Sequence, residues 1–180
     1  FDYASEKDDR FSLATSLGVA CRELARIFDA YEFDWVCVLG DRFELLSIIG
    51  NAIIFNKPII HISGGETTAG VIDDQIRHMI SKAAHLHFVS CKDYANNLYK
   101  MGESKERIHI TGALNVDNMK KRRKVTRKQL FRELNLDVTK PTVLMSYHPV
   151  TLDFEVTLQS QLENIFNALE LFDFQVVITA

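Results

Sequence analysis

Short apolar runs alternate with segments of helical periodicity along most of this chain. Apolar residues at positions 14, 17, 21, 24, 25 and 28 recur at helical spacing, and the apolar run Trp35–Leu39 follows them. A continuous apolar run of this length is typical of a strand buried on both faces of a parallel sheet. Because strands that alternate with helices are joined by right-handed crossovers, the sequence predicts an α/β fold with doubly wound parallel sheets.

The same alternation extends to the end of the chain. We expect further helices over residues 43–55, 73–84, 93–101, 126–135 and 154–172, and strands over residues 58–62, 86–90, 107–111, 142–146 and 175–179. Between Met119 and Lys128 the composition becomes strongly basic without interleaved aromatic residues, which favours a solvated linker over a nucleic-acid-binding patch. We therefore predict a Rossmann-like domain over residues 1–118, and over residues 119–180 a linker and the start of a second Rossmann-like domain.

Composition narrows the class of partner. The chain has 180 residues, and its formal net charge of −3 provides no positive field that would collect nucleic acid or anionic lipid, so we expect a small-molecule ligand. No apolar run approaches the roughly 20 residues of a membrane-spanning helix, and cytoplasm is the simplest location. The cysteines, Cys21, Cys37 and Cys91, are far apart in apolar or helical patterns, as expected of buried thiols. The chain opens at Phe1 and stops after an apolar run, so we expect both ends to be truncated.

Three ionisable side chains lie in loops that follow predicted strands. Asp41, Glu66 and His148 each come after one of these strands. In an open parallel sheet the carboxyl ends of the strands meet at one edge, where ligands bind. The sequence therefore predicts that the chemistry is located in these loops.

Each acidic residue also has a structural interpretation. Asp41 could cap the following helix, and the glycines before Glu66 fit a turn as well as a close approach to a ligand. Asp73 and Asp74 lie at the start of a predicted helix. They could cap it and interact with its dipole, or they could serve as the acid and the base of a reaction.

The helix after these aspartates has a predicted buried stripe, Ile72, Ile76, Ile80 and Ala83. Arg77 and His78 lie off that stripe, so a surface ion pair with the aspartates is the structural interpretation of both.

Several other chemistries lack their sequence signals. His85 and His87 alternate on a predicted strand, but no third ligand has suitable spacing, so we expect no metal. The sequence contains neither a Walker phosphate loop nor a dinucleotide-binding glycine fingerprint, and no cofactor is expected. A Gly-x-Ser-x-Gly nucleophile elbow is missing too. The carboxylates therefore carry the chemical signal.

Five segments together resemble the hydrolysing UDP-N-acetylglucosamine 2-epimerases of sialic and legionaminic acid synthesis. These segments are Gly40–Glu44, His61–Glu66, Ile72–His78, Lys82–Phe88 and Tyr147–Thr151. Each is weak alone, but their shared order and compatible spacing make the set specific.

The resemblance implies a glycosyltransferase-B-like architecture of two doubly wound domains. It implies that the first domain here lacks its first strand and that residues 119–180 begin the domain that holds most of the uridine diphosphate site. The implied substrate is UDP-N-acetylglucosamine or a nucleotide-linked diacetylbacillosamine, converted through a glycal to UDP and the C2-inverted sugar. A homo-oligomer, dimer or tetramer, is expected of the full-length protein.

The resemblance also implies roles for individual residues. The implied catalytic set is Asp41, Glu66, Asp73, Asp74 and His148. The implied substrate-binding set is Arg42, Gly65, Arg77 and Thr151, with Arg42 and His148 contacting the substrate or its diphosphate. Since fold does not determine function, a glycosyltransferase of the same architecture and a non-catalytic nucleotide-sugar-binding domain stay open as alternatives.

Overall fold

The computed structural model describes residues 9–122, 124–148 and 157–179. Its elements in chain order are α1 (Arg10–Ala30), β1 (Val36–Leu39), α2 (Leu45–Ile54), β2 (Ile59–Ile62), α3 (Ile72–Ala83), β3 (Leu86–Val89), α4 (Lys92–Lys100), β4 (Ile108–Ile110), α5 (Leu114–Lys121), α6 (Arg127–Glu133), β5 (Thr142–Ser146), α7 (Leu158–Leu169) and β6 (Gln175–Thr179). Each helix and strand predicted from the sequence has a counterpart within a few residues of its expected ends, but residues 154–156 of the last predicted helix lie outside the described residues.

Both sheets of the structure are parallel. The first sheet has the strand order β1-β2-β3-β4, and the second pairs β5 with β6. The register aligns Val38 with His61 and His61 with His87, so these side chains form a row on one face of the first sheet. The parallel pairing confirms the predicted α/β fold class and brings the carboxyl ends of β1 and β2 to the same edge.

The main core lies between the first strands and helices α1, α2 and α3. Its buried members are Phe28, Val36, Val38, Ile49, Ala52, Ile59, Ile76, Ile80 and Ala84. Asn51 joins two of these helices, because its side-chain amide donates to the carbonyls of Cys21 in α1 at 3.0 Å and of Ser47 in α2 at 2.8 Å. Those two bonds use both amide hydrogens of this buried side chain and tie α1 to α2.

Contacts between residues divide the described chain into two compact units, one ending at Asp117 and the other beginning at Asn118. In the second unit, side-chain caps start both helices: Thr126 forms a capping box with Gln129 at α6, and Thr157 accepts from the Ser160 amide at α7. Within the ranges given above, none of the helices combines the length and apolar character needed to cross a bilayer.

The structure corrects two expectations about burial. The first strand is buried on one face only, since Cys37 and Leu39 are exposed while Val36 and Val38 are in the core. A short apolar run does not reveal how many faces of a strand are covered. The thiols are free and none is fully buried, since Cys37 is exposed and Cys21 and Cys91 are partly exposed.

Two further expectations about helices are wrong. Arg77 was expected outside the buried stripe of α3, yet it is only 6% exposed. The basic stretch was expected to be a linker from Met119 onward, but α5 continues to Lys121. Its basic residues complement the partial negative charge at the C-terminal end of that helix.

Gly50 offers a test of local stability. It lies in α2, is exposed, and an added Cβ would meet nothing within 4 Å. Because alanine loses less backbone entropy than glycine in a helix, we expect Gly50→Ala to raise the free energy of unfolding by about 0.5–1 kcal/mol.

Urea titration followed by the fluorescence of Trp35, the single tryptophan of this chain, measures this change in the first unit. Gly65→Ala is a control that should lower the free energy of unfolding, because Gly65 has a φ of +76° and an added Cβ would collide with the carbonyl of Tyr94. A lower urea midpoint for Gly50→Ala than for the parent protein would contradict the assignment of Gly50 to an open helix face.

Candidate active site

Asp41 and Arg77 form the centre of the candidate site. Asp41 follows β1, and its carboxylate accepts a hydrogen bond from the guanidinium of Arg77 in α3. Helix α2 begins at Leu45 with Glu44 as its N-cap residue, so Asp41 does not cap it. Arg77 is buried and Asp41 is 23% exposed, so this ion pair is largely internal. The helical spacing had suggested pairs with the aspartates of α3, and Asp74 does lie 3.6 Å from Arg77 and 3.9 Å from His78.

Arg77 also reaches the loop after β2. Both of its terminal nitrogens donate to the Thr68 hydroxyl at 3.2 Å, and one lies 3.6 Å from the Asp74 carboxylate. The Asp74 carboxylate in turn accepts from the Thr68 backbone amide at 2.6 Å. One guanidinium therefore gathers the β1 loop, the β2 loop and the first turn of α3.

Asp73 has a different environment from its neighbour in the chain. Burial raises the pKa of the Asp73 carboxyl above its ordinary value, and the nearby negative charge of Asp41 raises it further. The positive charges of Arg42 and Arg77 lower it in part. A carboxyl with a raised pKa holds a proton more readily, which suits it to proton transfer.

Glu66 lies in a loop that is anchored on both sides. The Gly65 carbonyl accepts from the side-chain amide of Asn97 in α4 at 2.8 Å, and Thr68 is held by Asp74 and Arg77. Glu66 itself is partly exposed. The loop is therefore fixed in place while the Glu66 side chain reaches solvent, and its inclusion in the catalytic set stays a prediction.

The predicted substrate-binding residues of the first unit differ in their surroundings. The Arg42 side chain is 76% exposed, and its guanidinium contacts the Glu44 carboxylate at 2.9 Å, which lowers the pKa of Glu44. Gly65 is buried against Tyr94, so its lack of a side chain already has a packing reason. Substrate contacts of both residues remain predictions.

Two predicted site residues lie in or after the second sheet. His148 follows β5, and its Nε2 lies 3.2 Å from the Ser146 hydroxyl oxygen. Thr151 lies outside the described residues. Their part in the site stays a prediction.

Sequence reasoning missed three residues that shape these loops. Thr68 links Arg77 to Asp74, and Ser63 adopts a φ of +65°, which is uncommon for a residue other than glycine. His61 is completely buried beside both loops. The alternation of Ile59 and His61 on one face of β2 was a signal that could have identified the histidine.

Among the described residues no group of three or more His, Cys, Asp or Glu side chains is placed to hold a metal ion. The structure brings two carboxylates, Asp41 and Asp74, to one buried guanidinium, and a third, Asp73, close enough for the charges of Asp41 and Arg77 to act on its pKa. Such a set can exchange protons with a bound ligand, since one carboxyl has a raised pKa and the other two contact a fixed positive charge.

The sequence profile of UDP-N-acetylglucosamine 2-epimerases matches residues 1–180. The chain belongs to this family. It is 36% identical over 163 residues to the GDP/UDP-N,N'-diacetylbacillosamine 2-epimerase (hydrolyzing) of Campylobacter jejuni, covering 91% of the chain and 42% of that protein. It is 31% identical over 166 residues to the UDP-N,N'-diacetylbacillosamine 2-epimerase (hydrolyzing) of Legionella pneumophila, covering 92% of the chain and 44% of that protein.

Solved structures show the same fold. A UDP-GlcNAc 2-epimerase from Neisseria meningitidis, bound to UDP-GlcNAc, superposes with a TM-score of 0.74 at 21% identity, covering 96% of this chain and 49% of that one. A UDP-GlcNAc 2-epimerase from Methanocaldococcus jannaschii gives 0.75 at 18% identity, covering 99% and 49%. The likeness confirms the glycosyltransferase-B-like α/β fold class, and the chain spans about half the length of the family members that it matches.

The pKa of Asp73 provides a test of the site. In Asp41→Asn we expect the pKa of Asp73 to fall, because the substitution removes a negative charge that raises it and leaves the guanidinium of Arg77 less neutralised. Carboxyl ¹³C chemical shifts recorded against pH measure this change directly.

Asp29→Asn, on the exposed surface of α1, is the matched control and should leave the pKa of Asp73 unchanged. If the two variants titrate alike, Asp41 and Asp73 are not electrostatic neighbours and the described site is wrong.

Proposed function

We propose that this chain carries the acid and base carboxylates of a hydrolysing sugar-nucleotide 2-epimerase. The reaction converts a UDP-linked 2-acetamido sugar to UDP and the free C2-inverted sugar. The observation that carries the proposal is the gathering of Asp41, Asp73 and Asp74 around buried Arg77, in a chain of this family. These groups lie in the loop after β1 and the first turn of α3, near the edge where a parallel sheet binds ligands.

The chemistry requires a base that is held in place. No carbonyl adjoins C2 of the sugar, so removal of the C2 proton is coupled to cleavage of the C1–O bond and departure of UDP. The product of that step is a glycal. Water then adds to the glycal: hydroxyl binds at C1, and a proton returns to C2 from the opposite face. Both stages move a proton at C2, and a positioned acid or base contributes about 10²- to 10⁴-fold to each such transfer.

Within the proposed reaction, Asp73 is the best-suited group for proton transfer. Its raised pKa brings it closer to working pH than an ordinary aspartate, and the efficiency of a general acid or base rises as its pKa approaches that pH. Asp41 and Asp74 contact Arg77. We therefore propose that they neutralise the Arg77 charge and fix the backbone around Asp73. Glu66, which is partly exposed in its anchored loop, is the second proton-transfer candidate.

Departure of UDP needs positive charge. We propose that Arg42 and His148 stabilise the negative charge that develops on the leaving diphosphate, which a negatively charged carboxylate could not do. Arg42 is suited to this role because its side chain is 76% exposed. Gly65, Arg77 and Thr151 complete the proposed substrate-binding set, with Arg77 acting through the carboxylates that it holds.

The substrate is a UDP-linked 2-acetamido sugar in this proposal. The relatives from Campylobacter and Legionella are named for diacetylbacillosamine nucleotides, while a relative from Neisseria meningitidis, 33% identical over 155 residues, is named UDP-N-acetylglucosamine 2-epimerase. Either substrate would place the protein in legionaminic or sialic acid synthesis. A cytoplasmic, homo-oligomeric full-length protein stays a prediction.

Product analysis of the full-length protein in deuterated water tests the reaction. With UDP-N-acetylglucosamine or UDP-diacetylbacillosamine, we expect NMR to show free UDP and a free C2-inverted sugar that carries deuterium at C2. A glycosyltransferase would leave hydrogen at C2, and a binding domain would release no UDP. A C2-inverted sugar still attached to UDP would indicate a non-hydrolysing epimerase instead.

Single substitutions test the residues. We expect Asp73→Asn and Glu66→Gln each to lower kcat by about 10²- to 10⁴-fold, because each removes a proposed proton-transfer group. Asp41→Asn should also lower kcat, because it removes the charge that raises the pKa of Asp73 and the ion pair with Arg77. Glu106→Gln, on an exposed turn before β4, is the control and should retain the parent rate. A folded variant with a normal rate would remove that residue from the mechanism.

A further inference from the structure

The buried histidine of β2 contacts both loops of the candidate site. His61 is 0% exposed, and its Nε2 lies 2.8 Å from the Gly40 carbonyl oxygen, immediately before Asp41. A carbonyl oxygen can only accept, so Nε2 carries the ring proton and donates it. The other ring nitrogen, Nδ1, lies 3.1 Å from the hydroxyl oxygen of Ser81 in α3. In the neutral ring Nδ1 accepts, and the serine hydroxyl donates.

Gly40 is held at both of its backbone groups. Its amide donates to the Ile62 carbonyl at 3.0 Å, and its carbonyl accepts from His61. Its φ is +80°, a conformation that residues other than glycine rarely adopt. With both groups fixed, the direction in which the chain leaves β1 is fixed, and so is the starting point of the Asp41 side chain.

The same imidazole packs against the second loop. A Cβ added to Gly64 would lie 2.8 Å from His61 Nδ1 and 2.8 Å from Ser81 Oγ, which is closer than real Cβ contacts come. The backbone of the loop that carries Glu66 therefore rests directly on the pair formed by His61 and Ser81. A single ring thus contacts the backbone of both loops that hold candidate carboxylates.

We propose that His61, as a neutral Nε2–H imidazole braced by Ser81, is a positioning residue that sets the Asp41 loop and the Gly64–Glu66 loop relative to each other. The effect of His61 on catalysis rests on the proposed function, whereas its contacts with the two loops do not. His61 touches no reacting atom in this proposal and acts through Asp41, whose charge in turn raises the pKa of Asp73.

The charge state of the ring agrees with this role. Burial lowers the pKa of His61 to about 4, and the positive charges of His87 and Arg77 lower it too, while its bond to Gly40 and the charge of Asp41 raise it. The ring is therefore neutral at the pH where the site works. A neutral imidazole has one donor and one acceptor, which match the Gly40 carbonyl and the Ser81 hydroxyl.

The first test does not depend on activity. In full-length protein labelled with ¹⁵N-histidine, we expect imidazole spectra to show His61 as the neutral Nε2–H form throughout pH 5.5–8. A ring with its proton on Nδ1, or one that becomes charged within that range, would overturn the assignment. Since no substrate is involved, this result stands even if the proposed reaction is wrong.

The second test compares two replacements of His61. The amide nitrogen of glutamine can occupy the place of Nε2 and donate to Gly40, whereas asparagine reaches only the place of Nδ1. We expect His61→Asn to lower kcat by about 10²-fold with KM changed less than about threefold, as for a small misplacement of catalytic groups. We expect His61→Gln to stay within about tenfold of the parent kcat.

The pKa of Asp73 in the same two variants is a second measurement, and a purely structural role of His61 would leave it unchanged. We expect the pKa of Asp73 to fall in His61→Asn, because Asp41 is no longer held beside it, and to stay near the parent value in His61→Gln. Equal losses of kcat in both variants, or an unmoved Asp73 titration in His61→Asn, would falsify the positioning role.

Gly64→Ala reaches the same pair without altering the histidine. Its Cβ would press on His61 Nδ1 and Ser81 Oγ, so we expect Gly64→Ala to lower kcat by about 10²-fold and to lower the pKa of Asp73, as in His61→Asn. This variant keeps the proposal testable if His61→Asn does not fold. Gly50→Ala is the matched control, because its Cβ meets open space, and it should keep the parent values. Parent-like behaviour of Gly64→Ala would contradict the proposal.

Discussion

The contact that the rest of the site depends on is the ion pair between Asp41 and Arg77. A guanidinium that is 6% exposed has lost most of its hydration, and leaving such a charge without a partner costs several kcal/mol. The first unit therefore closes favourably only when the β1 loop and α3 meet. That requirement also determines where Asp73 lies, because it is four residues before Arg77 on the same helix.

Periodicity was sufficient to predict most of the fold. Regular apolar spacing identified the alternating helices and strands, and the alternation identified the parallel sheets. It failed where burial depends on partners far away in the sequence. Arg77 looks like a surface residue by its helical position, and its contacts with Asp41, 36 residues away, and with the Thr68 hydroxyl explain why it is inside. The one-sided burial of β1 is another property that a single strand does not encode.

The candidate site was predictable in position but not in detail. The rule for carboxyl ends of parallel strands indicated the loops after β1 and β2, and the structure brings Asp41 and Asp74 to one guanidinium. The sequence could not distinguish the adjacent residues Asp73 and Asp74. Asp74 accepts from Thr68 and faces Arg77, while burial and the charge of Asp41 raise the pKa of Asp73. The division of roles therefore arises from tertiary environment rather than from residue type.

The anchors of the two loops act on the main chain. His61 binds the carbonyl of Gly40, and Asn97 binds the carbonyl of Gly65, so neither anchor depends on which side chain comes next. Mutations at the loop tips can therefore change what the loops recognise while the framework beneath them persists. Because of this separation, substitutions at the loop tips are expected to cost little stability, since the supporting bonds are untouched.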